Sequence, residues 1–209
     1  ALTFAAPPGA WAQGRGELRL GPGAANLPAS AGLYVRGRLP QLDLKAWQAV
    51  LEQHGKAQAQ QTTGWLLRRA QVDIDRFEGF GTRIDNLGLD LRRMREAWDL
   101  GLRSSIISGS VRLPDAEGGI IVADLQRLRL PAAAQSDEAV VKERPDPLAD
   151  VDPQSLPAMD VAIERVSLGD NVLGAWALKL RPVSGGTEFR DIALDLKGLK
   201  ITGNGGWGS

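Results

Sequence analysis

The side chains that most often carry catalysis are scarce in this chain of 209 residues. Histidine occurs once, at His54, and cysteine is absent. One histidine without cysteine cannot complete a Ser-His-Asp triad, a Cys-His pair or a zinc site of familiar geometry. His54 also falls on the apolar stripe of a predicted helix, which favours a structural role. We therefore predict no catalytic residue and no metal site.

Two pairs of carboxylates have a spacing that general acid–base chemistry could use. Asp73 and Asp75 alternate along a predicted strand, so both lie on its polar face. Asp150 and Asp152 lie in a proline-rich segment without periodicity. Neither pair has the apolar surroundings that a carboxylic acid needs for general acid catalysis. We interpret both pairs as solvated carboxylates and expect that the protein is not an enzyme.

Composition narrows the class of partner. The chain has 25 basic and 25 acidic residues, so no general attraction to nucleic acid is expected. The basic run from Arg92 to Arg95 has acidic neighbours, which is typical of a mixed-charge turn. There is no apolar run long enough for a transmembrane helix. The first residue is Ala1, and we interpret the chain as part of a longer protein. No nucleic-acid partner and no cofactor are predicted.

Alternation of apolar and polar residues is the dominant pattern, and it predicts a mainly β fold. It is clearest in Leu87-x-Leu89-x-Leu91. Pro40 is predicted to stop one strand, and residues 203–209 are predicted to be a frayed end. Turn signals between the strands favour an elongated, twisted antiparallel sheet curled into a groove. The predicted strands cover residues 16–20, 33–39, 65–77, 84–92, 98–103, 106–113, 120–130, 159–168, 172–180, 187–196 and 199–202.

One segment changes to helical spacing. Residues 43–54 are predicted to form an amphipathic helix, with Asp43 as the N-cap and Gly55 after the last turn. Residues 132–157 lose all periodicity and gain acids and prolines, which indicates a flexible loop or linker. The predicted organisation is a β-groove segment over 1–131, this linker, and a continuation of the β-groove over 158–209. The apolar stripe of the helix contains Leu44, Trp47, Val50, Leu51 and His54.

A short pattern occurs twice. Ile74–Phe77 precedes Trp98–Arg103, and Ile163–Val166 precedes Trp176–Arg181. Each copy reads Ile-acid-Arg-apolar and then Trp-x-Leu-x-Leu-Arg, with Trp, Leu and Leu at alternate positions. We predict that the two tryptophans occupy equivalent places on neighbouring or stacked strands. Each should face the same side as its following leucines.

The apolar faces of these strands form the candidate site. They could close on each other as a sandwich core, or they could line a trough that stays open to an acyl chain. Contiguous exposed apolar surface usually marks a binding site. The candidate lipid-binding residues are Leu87, Leu89, Leu91, Trp98, Leu100, Leu102, Trp176, Leu178, Leu180, Ile192, Leu194 and Leu196.

The order of several short motifs resembles the C-terminal region of the YhdP proteins, members of the AsmA-like superfamily that includes TamB. The resemblance covers most of residues 33–207. The motifs are Gly37-Arg38-Leu39-Pro40 with the helix start Asp43–Trp47, Trp98-x-Leu-x-Leu, Ser108-Gly109 with Pro114, Asp124-Leu125-x-x-Leu128-x-Leu130, Asp152-Pro153-x-x-Leu156-Pro157, Leu173-Gly174-x-Trp176 and Gly206-Trp207.

The resemblance implies a function in the cell envelope of a Gram-negative bacterium. It implies a protein anchored in the inner membrane that spans the periplasm and conducts phospholipid towards the outer membrane along a hydrophobic β-groove, as part of outer-membrane biogenesis. Phospholipid acyl chains are the implied partners. Inner- and outer-membrane proteins at the ends of the full-length protein are further candidates. The alternative is a closed structural or protein-interaction module of a large envelope protein, without lipid binding.

Overall fold

The computed structural model describes residues 1–10, 13–47, 67–79, 82–130 and 152–208. These residues are mainly β, which confirms the predicted class. The chain divides into two compact units, Ala1–Ser105 and Ile106–Ser209. Unit 1 contains β1 (Leu2–Ala5), β2 (Arg15–Leu20), β3 (Gly32–Asp43), β4 (Leu67–Gly79), β5 (Thr82–Arg93) and β6 (Ala97–Arg103). Unit 2 contains β7 (Ile107–Pro114), β8 (Ile121–Leu130), β9 (Met159–Leu168), β10 (Asn171–Val183), β11 (Gly186–Leu196) and β12 (Leu199–Gly208).

Within each unit the strands follow one another in the sheet in the order of the chain. In both units hairpin-connected neighbours are antiparallel. The sheet is nevertheless mixed, because β2–β3, β3–β4 and β8–β9 are parallel pairs. A parallel pair needs a long connection that returns the chain to the same end of the sheet. The three parallel pairs are those joined by the long segments 21–31, 44–66 and 131–158.

The predicted stop at Pro40 is wrong, because β3 continues to Asp43. β2 pairs with β3 only as far as Gly37. Beyond Gly37, on the β2 side, β3 therefore has no paired strand among the described residues. Proline lacks an N–H group and is tolerated where that group would face a free strand edge.

The predicted helix agrees with the structure as far as the description extends. Residues 44–47 are helical, and the backbone N–H of Ala46 donates to Oδ1 of Asp43 at 3.1 Å. This is the bond that an N-cap aspartate makes. Residues 48–55, which include His54 and Gly55, lie outside the described residues.

The pattern did not predict β1, and it predicted β12 only over residues 199–202. β1 pairs with β2, placing Leu2 opposite Leu18. The predicted frayed end is wrong, because Gly203 lies opposite Ile192 and Gly206 opposite Glu188 in the β11–β12 ladder. The hydrogen bonds of the ladder join backbone groups alone. A glycine-rich segment can therefore form a strand although its sequence shows no alternation of apolar and polar side chains.

The predicted linker lies largely outside the described residues, and the division at 132–157 stays a prediction. Its described end is ordered by local bonds. Asp152 accepts a hydrogen bond at Oδ1 from the backbone N–H of Gln154 at 2.9 Å and caps a 3-10 turn, Pro153–Ser155. The hydroxyl of Thr187 on β11 donates to the carbonyl of Pro153 at 2.6 Å. These bonds fix the entry to β9.

Among the described residues, few apolar side chains are fully buried. In unit 2, Leu125, Ile163 and Val166 form a buried cluster, with Trp176 packed against it. In unit 1, Ile74 is 1% exposed and its cross-strand neighbour Leu87 is 4% exposed. The remaining apolar residues that share a face with these are mostly half-buried.

Candidate functional site

One face of unit 1 is an apolar surface that crosses all six strands. Residues directly opposite each other on paired strands share a face, so the register defines rows of side chains across the sheet. The three rows given next contain no charged residue, and charged residues lie in the rows beyond them, at Arg93 opposite Trp98 and at Arg76 opposite Asp85. The first row is Leu2, Leu18, Val35, Ala70, Leu91 and Leu100; the second is Leu20, Gly37, Val72, Leu89 and Leu102; the third is Leu39, Ile74 and Leu87.

Unit 2 has a face of the same kind. Its longest row crosses every strand of the unit, and Trp176 stands at the middle between Ile163 and Leu194. The first row is Gly109, Leu125, Ile163, Trp176, Leu194 and Ile201; the second is Val111, Ala123, Val161 and Leu178; the third is Ile121, Met159, Leu180, Phe189 and Gly205. Ile192 and Leu196 alternate with Ala193 and Asp195 and so lie on the face of Leu194.

The structure therefore brings the predicted site residues onto these faces, six in each unit. All of them except Leu87 are half-buried. Residues of a closed sandwich core would be largely removed from solvent, as Val166 is at 0% exposure. The described faces instead combine apolar continuity with partial access to solvent.

The alternation prediction for the two tryptophans is confirmed. Trp98 lies at the start of β6 on the side of Leu100 and Leu102, which lie opposite leucines of β5. Trp176, Leu178 and Leu180 lie opposite Ile163, Val161 and Met159 without a register break. Cζ of Arg93 lies 5.1 Å from the centroid of the Trp98 ring. A positive charge therefore stands at this edge of the apolar face of unit 1.

The prediction that the two copies of the repeat are equivalent is wrong. β9, which carries Ile163, pairs directly with β10, which carries Trp176. β4, which carries Ile74, is separated from the Trp98 strand by β5. The segment between Phe77 and Trp98 is long enough to hold a whole strand, whereas the segment after Val166 holds only a turn and the start of β10. The two strands paired with β10 are β9 and β11, so the Trp98 strand β6 is not a neighbour of the Trp176 strand β10.

The opposite faces are charged. Arg69 donates from Nε and Nη2 to the carboxylate of Asp90 at 2.9 and 2.8 Å, and Arg92 donates from Nη2 at 2.6 Å. The Arg69 hydrogen bond is the largest cause that holds the pKa of Asp90 well below its usual range. On unit 2, Lys179 donates to Asp191 at 2.7 Å, which lowers the pKa of Asp191 and raises the pKa of Lys179.

An apolar hollow of about 400 Å³ lies among β9, β10, β11 and β12. Strand alternation puts its four alanines on the face opposite Trp176 and Leu194. The hollow exists because these side chains are small. The alanines are Ala162, Ala175, Ala177 and Ala193.

Sequence reasoning missed several residues of the apolar faces. Leu18, Val35 and Ala70 extend the first row of unit 1, and Leu125 and Ile201 extend that of unit 2. Alternation was visible in all of these strands. The missing information was the strand order, which determines whose apolar residues are neighbours.

The described part of the chain contains no helix long and apolar enough to cross a membrane. Among the same residues, no cluster of three or more His, Cys, Asp or Glu side chains could hold a metal ion.

Comparison with known proteins gives one match. A family model described as YhdP protein matches residues 2–209. No curated protein and no solved structure matches. Because the match covers nearly the whole chain, this chain belongs to the YhdP protein family, a family of cell-envelope proteins of the AsmA-like kind.

Proposed function

We propose that this chain is a segment of a periplasm-spanning, inner-membrane-anchored protein that conducts phospholipid between the inner and outer membranes. In this proposal each apolar face is part of the lining of a groove that receives acyl chains. The chain contributes surface and no catalysis. The observation that carries the proposal is the set of half-buried apolar rows that cross each unit without a charged residue.

Apolar side chains that stay in contact with water carry a free-energy cost. Each methylene group that leaves water contributes about 0.8 kcal/mol. An acyl chain laid along the rows would cover side chains such as Leu89, Leu100 and Leu194, which the described fold only half covers. Both partners would lose contact with water. The interaction has no required direction along a row, which suits a path on which lipids move.

The strand geometry keeps polar groups away from such a path. Backbone N–H and C=O groups are paired within the ladders, and side-chain alternation puts Asp90, Lys179 and Asp195 on the opposite faces. An acyl chain on the apolar face would therefore leave these charged groups hydrated. Membrane proteins at the ends of the full-length protein are the further partners in this proposal.

Site-specific photo-crosslinking in cells tests the path. A photoreactive amino acid replaces Leu194 in the full-length protein, and cross-linked lipid is sought by mass spectrometry. The matched control replaces Ala193, the adjacent residue of β11, which faces the other side and is exposed. We expect phospholipid adducts at position 194 and background at position 193.

Two other outcomes would contradict the proposal. Adducts at position 193 alone would indicate that lipid binds at the alanine-lined hollow on the opposite face and not along the apolar rows. Adducts to protein at position 194, with no lipid adducts there or at Leu89 and Leu100, would favour the alternative of a structural or protein-interaction module.

A further inference from the structure

Four arginines from three strands surround one hollow on the polar face of unit 1. Arg19 lies on β2, Arg36 and Arg38 on β3, and Arg103 on β6, and the hollow has a volume of about 420 Å³. The register places Arg19 beside Arg36, and it places Gln71 of β4 beside Arg36 on the other side. These side chains alternate with Leu18, Leu20 and Leu102 and so lie on the face opposite the apolar rows.

Arg103 reaches this hollow across a glycine. A Cβ atom at Gly88 on β5 would lie 3.0 Å from Nη2 of Arg103, so the guanidinium group lies directly over that backbone. Nη2 is 3.7 Å from Oδ1 of Asp73 on β4. The side chains of Arg103 and Asp73 are 82% and 70% exposed. An ion pair as exposed as this contributes little to stability, so Arg103 can exchange Asp73 for another anion at small cost.

Arg19 has an unused donor. Its Nε atom is buried and has no hydrogen-bond partner. The guanidinium group lies beside Gly23, where a Cβ atom would be 3.6 Å from Nε. A buried donor without a partner costs free energy, and native structures rarely leave one without a reason. Arg19 lines the hollow, so an anion bound there would give its guanidinium group an acceptor.

The remaining two arginines have carboxylate neighbours. Arg36 lies 4.0 Å from Glu17, and Arg38 donates from Nε to Asp75. Four guanidinium groups therefore meet three carboxylates around the hollow, with Asp73 the carboxylate that lines it. The site retains a net positive charge and donors on several sides.

We propose that this hollow binds a phosphate group. The planar fork of arginine matches the oxygens of phosphate, and several arginines together can surround a dianion. Free phosphate, a soluble phosphate ester and a lipid head group share this chemistry. The site lies on the face opposite the apolar rows, so it does not depend on the proposed lipid path.

Isothermal titration calorimetry of the purified chain with inorganic phosphate tests the proposal. We expect one site with a dissociation constant below about 10 mM, weakened by added salt because the charges are partly exposed. Arg19→Gln and Arg103→Gln should each weaken binding by about tenfold or more, as loss of a charge-assisted bond does. Asp73→Asn should strengthen binding about threefold or more, because it removes the lining carboxylate.

Arg83→Gln is the matched control, since Arg83 is an exposed arginine of β5 that pairs with Asp85 at 3.1 Å and does not line the hollow. Its affinity should stay within about twofold of the parent value. Thermal melts of every variant separate loss of binding from loss of fold. A purely structural role for the arginines would leave Asp73→Asn without a gain in affinity.

Glycerol 3-phosphate and vesicles of phosphatidic acid distinguish the source of the phosphate. Arginine-dependent binding of glycerol 3-phosphate indicates a soluble ester, and arginine-dependent binding of the vesicles alone indicates a lipid head group. Equal affinities for Arg19→Gln, Arg103→Gln and Arg83→Gln with every probe would overturn the proposal. No binding of any probe would also overturn it.

Discussion

Gly174 lies so close to the carbonyl oxygen of Asp195 that a Cβ atom on residue 174 would overlap that oxygen. Its φ angle is 137°, in a region that residues with side chains rarely adopt. The register of the β9–β10 pair breaks on both sides of this glycine. Glycine is therefore required at this position for space as well as for conformation.

The same relationship recurs at two other glycines of the YhdP-like motifs. Gly37 has a φ of 140° and lies against the carbonyl of Leu20. Gly109 has a φ of 149° and lies against the carbonyl of Asp124. Each is a point at which two strands approach too closely for a side chain. These three motif glycines thus have a structural explanation that needs no ligand.

We expect Gly174→Ala to destabilise the chain by about 3 kcal/mol or more, because the added carbon forces β10 and β11 apart. Gly185→Ala is the control, since Gly185 also has a positive φ, 89°, but has no atom within 4 Å of an added Cβ. It should cost about 1 kcal/mol from conformation alone. Urea unfolding followed by circular dichroism measures both. Similar losses for the two variants would show that the close approach is unimportant.

The faces of the strands could be predicted from the sequence because side-chain alternation is a local property of an extended chain. Leu87, Leu89 and Leu91 share a face for this reason alone. The parallel pairs could not be predicted, because they depend on where the segments after Leu20, Asp43 and Leu130 return to the sheet. The arginine hollow was missed for the same reason, since Arg19 and Arg103 meet only through the order of β2 to β6.

Asp90 should make stability depend on pH in the acidic range. Its pKa in the folded state lies well below its usual range, chiefly because of the hydrogen bond from Arg69. The charged carboxylate is therefore favoured by folding. This contribution is fully present above the ordinary carboxyl pKa of about 4 and is lost as pH falls through the lower folded value.

We expect Asp90→Asn to lower the free energy of unfolding at pH 7 by about 1 kcal/mol, an amount reduced by the partial exposure of the pair. The variant should also lose part of the pH dependence of stability below about pH 4. Denaturant titrations at several pH values measure this. Asp85→Asn is the control, because the Arg83–Asp85 pair is more exposed. An unchanged pH profile for Asp90→Asn would contradict the argument.

Thr187 connects the start of β11 to the 3-10 turn before β9. Its side chain is 1% exposed, and its hydroxyl donates to the carbonyl of Pro153 at 2.6 Å. Thr187→Val keeps the shape but removes this bond, and we expect a loss of about 1 to 2 kcal/mol. Thr202→Val, at an exposed position of β12, should change stability by less than about 0.5 kcal/mol. Thermal melts compare them; equal stabilities would show that the hydroxyl contributes nothing.

Charges placed on the apolar faces distinguish a lipid path from a closed core. Leu102 and Leu180 are half-buried, whereas Val166 is 0% exposed. We expect Leu102→Asp and Leu180→Arg to lower stability by only about 1 to 2 kcal/mol, because the new charge can remain hydrated. Val166→Asp should unfold the chain, because its charge would be buried without a partner.

Thermal melts of the purified chain and an envelope-permeability assay in cells are measured on the same variants. A folded Leu102→Asp protein that no longer maintains the envelope barrier is the result expected of a lipid path, since an acyl chain would meet a hydrated carboxylate in its row. Unfolding of Leu102→Asp and Leu180→Arg, as complete as that of Val166→Asp, would favour a closed module. Folded variants with a normal envelope would show that these two leucines do not contact the transported lipid, because a charge in the path must raise the cost of acyl-chain passage.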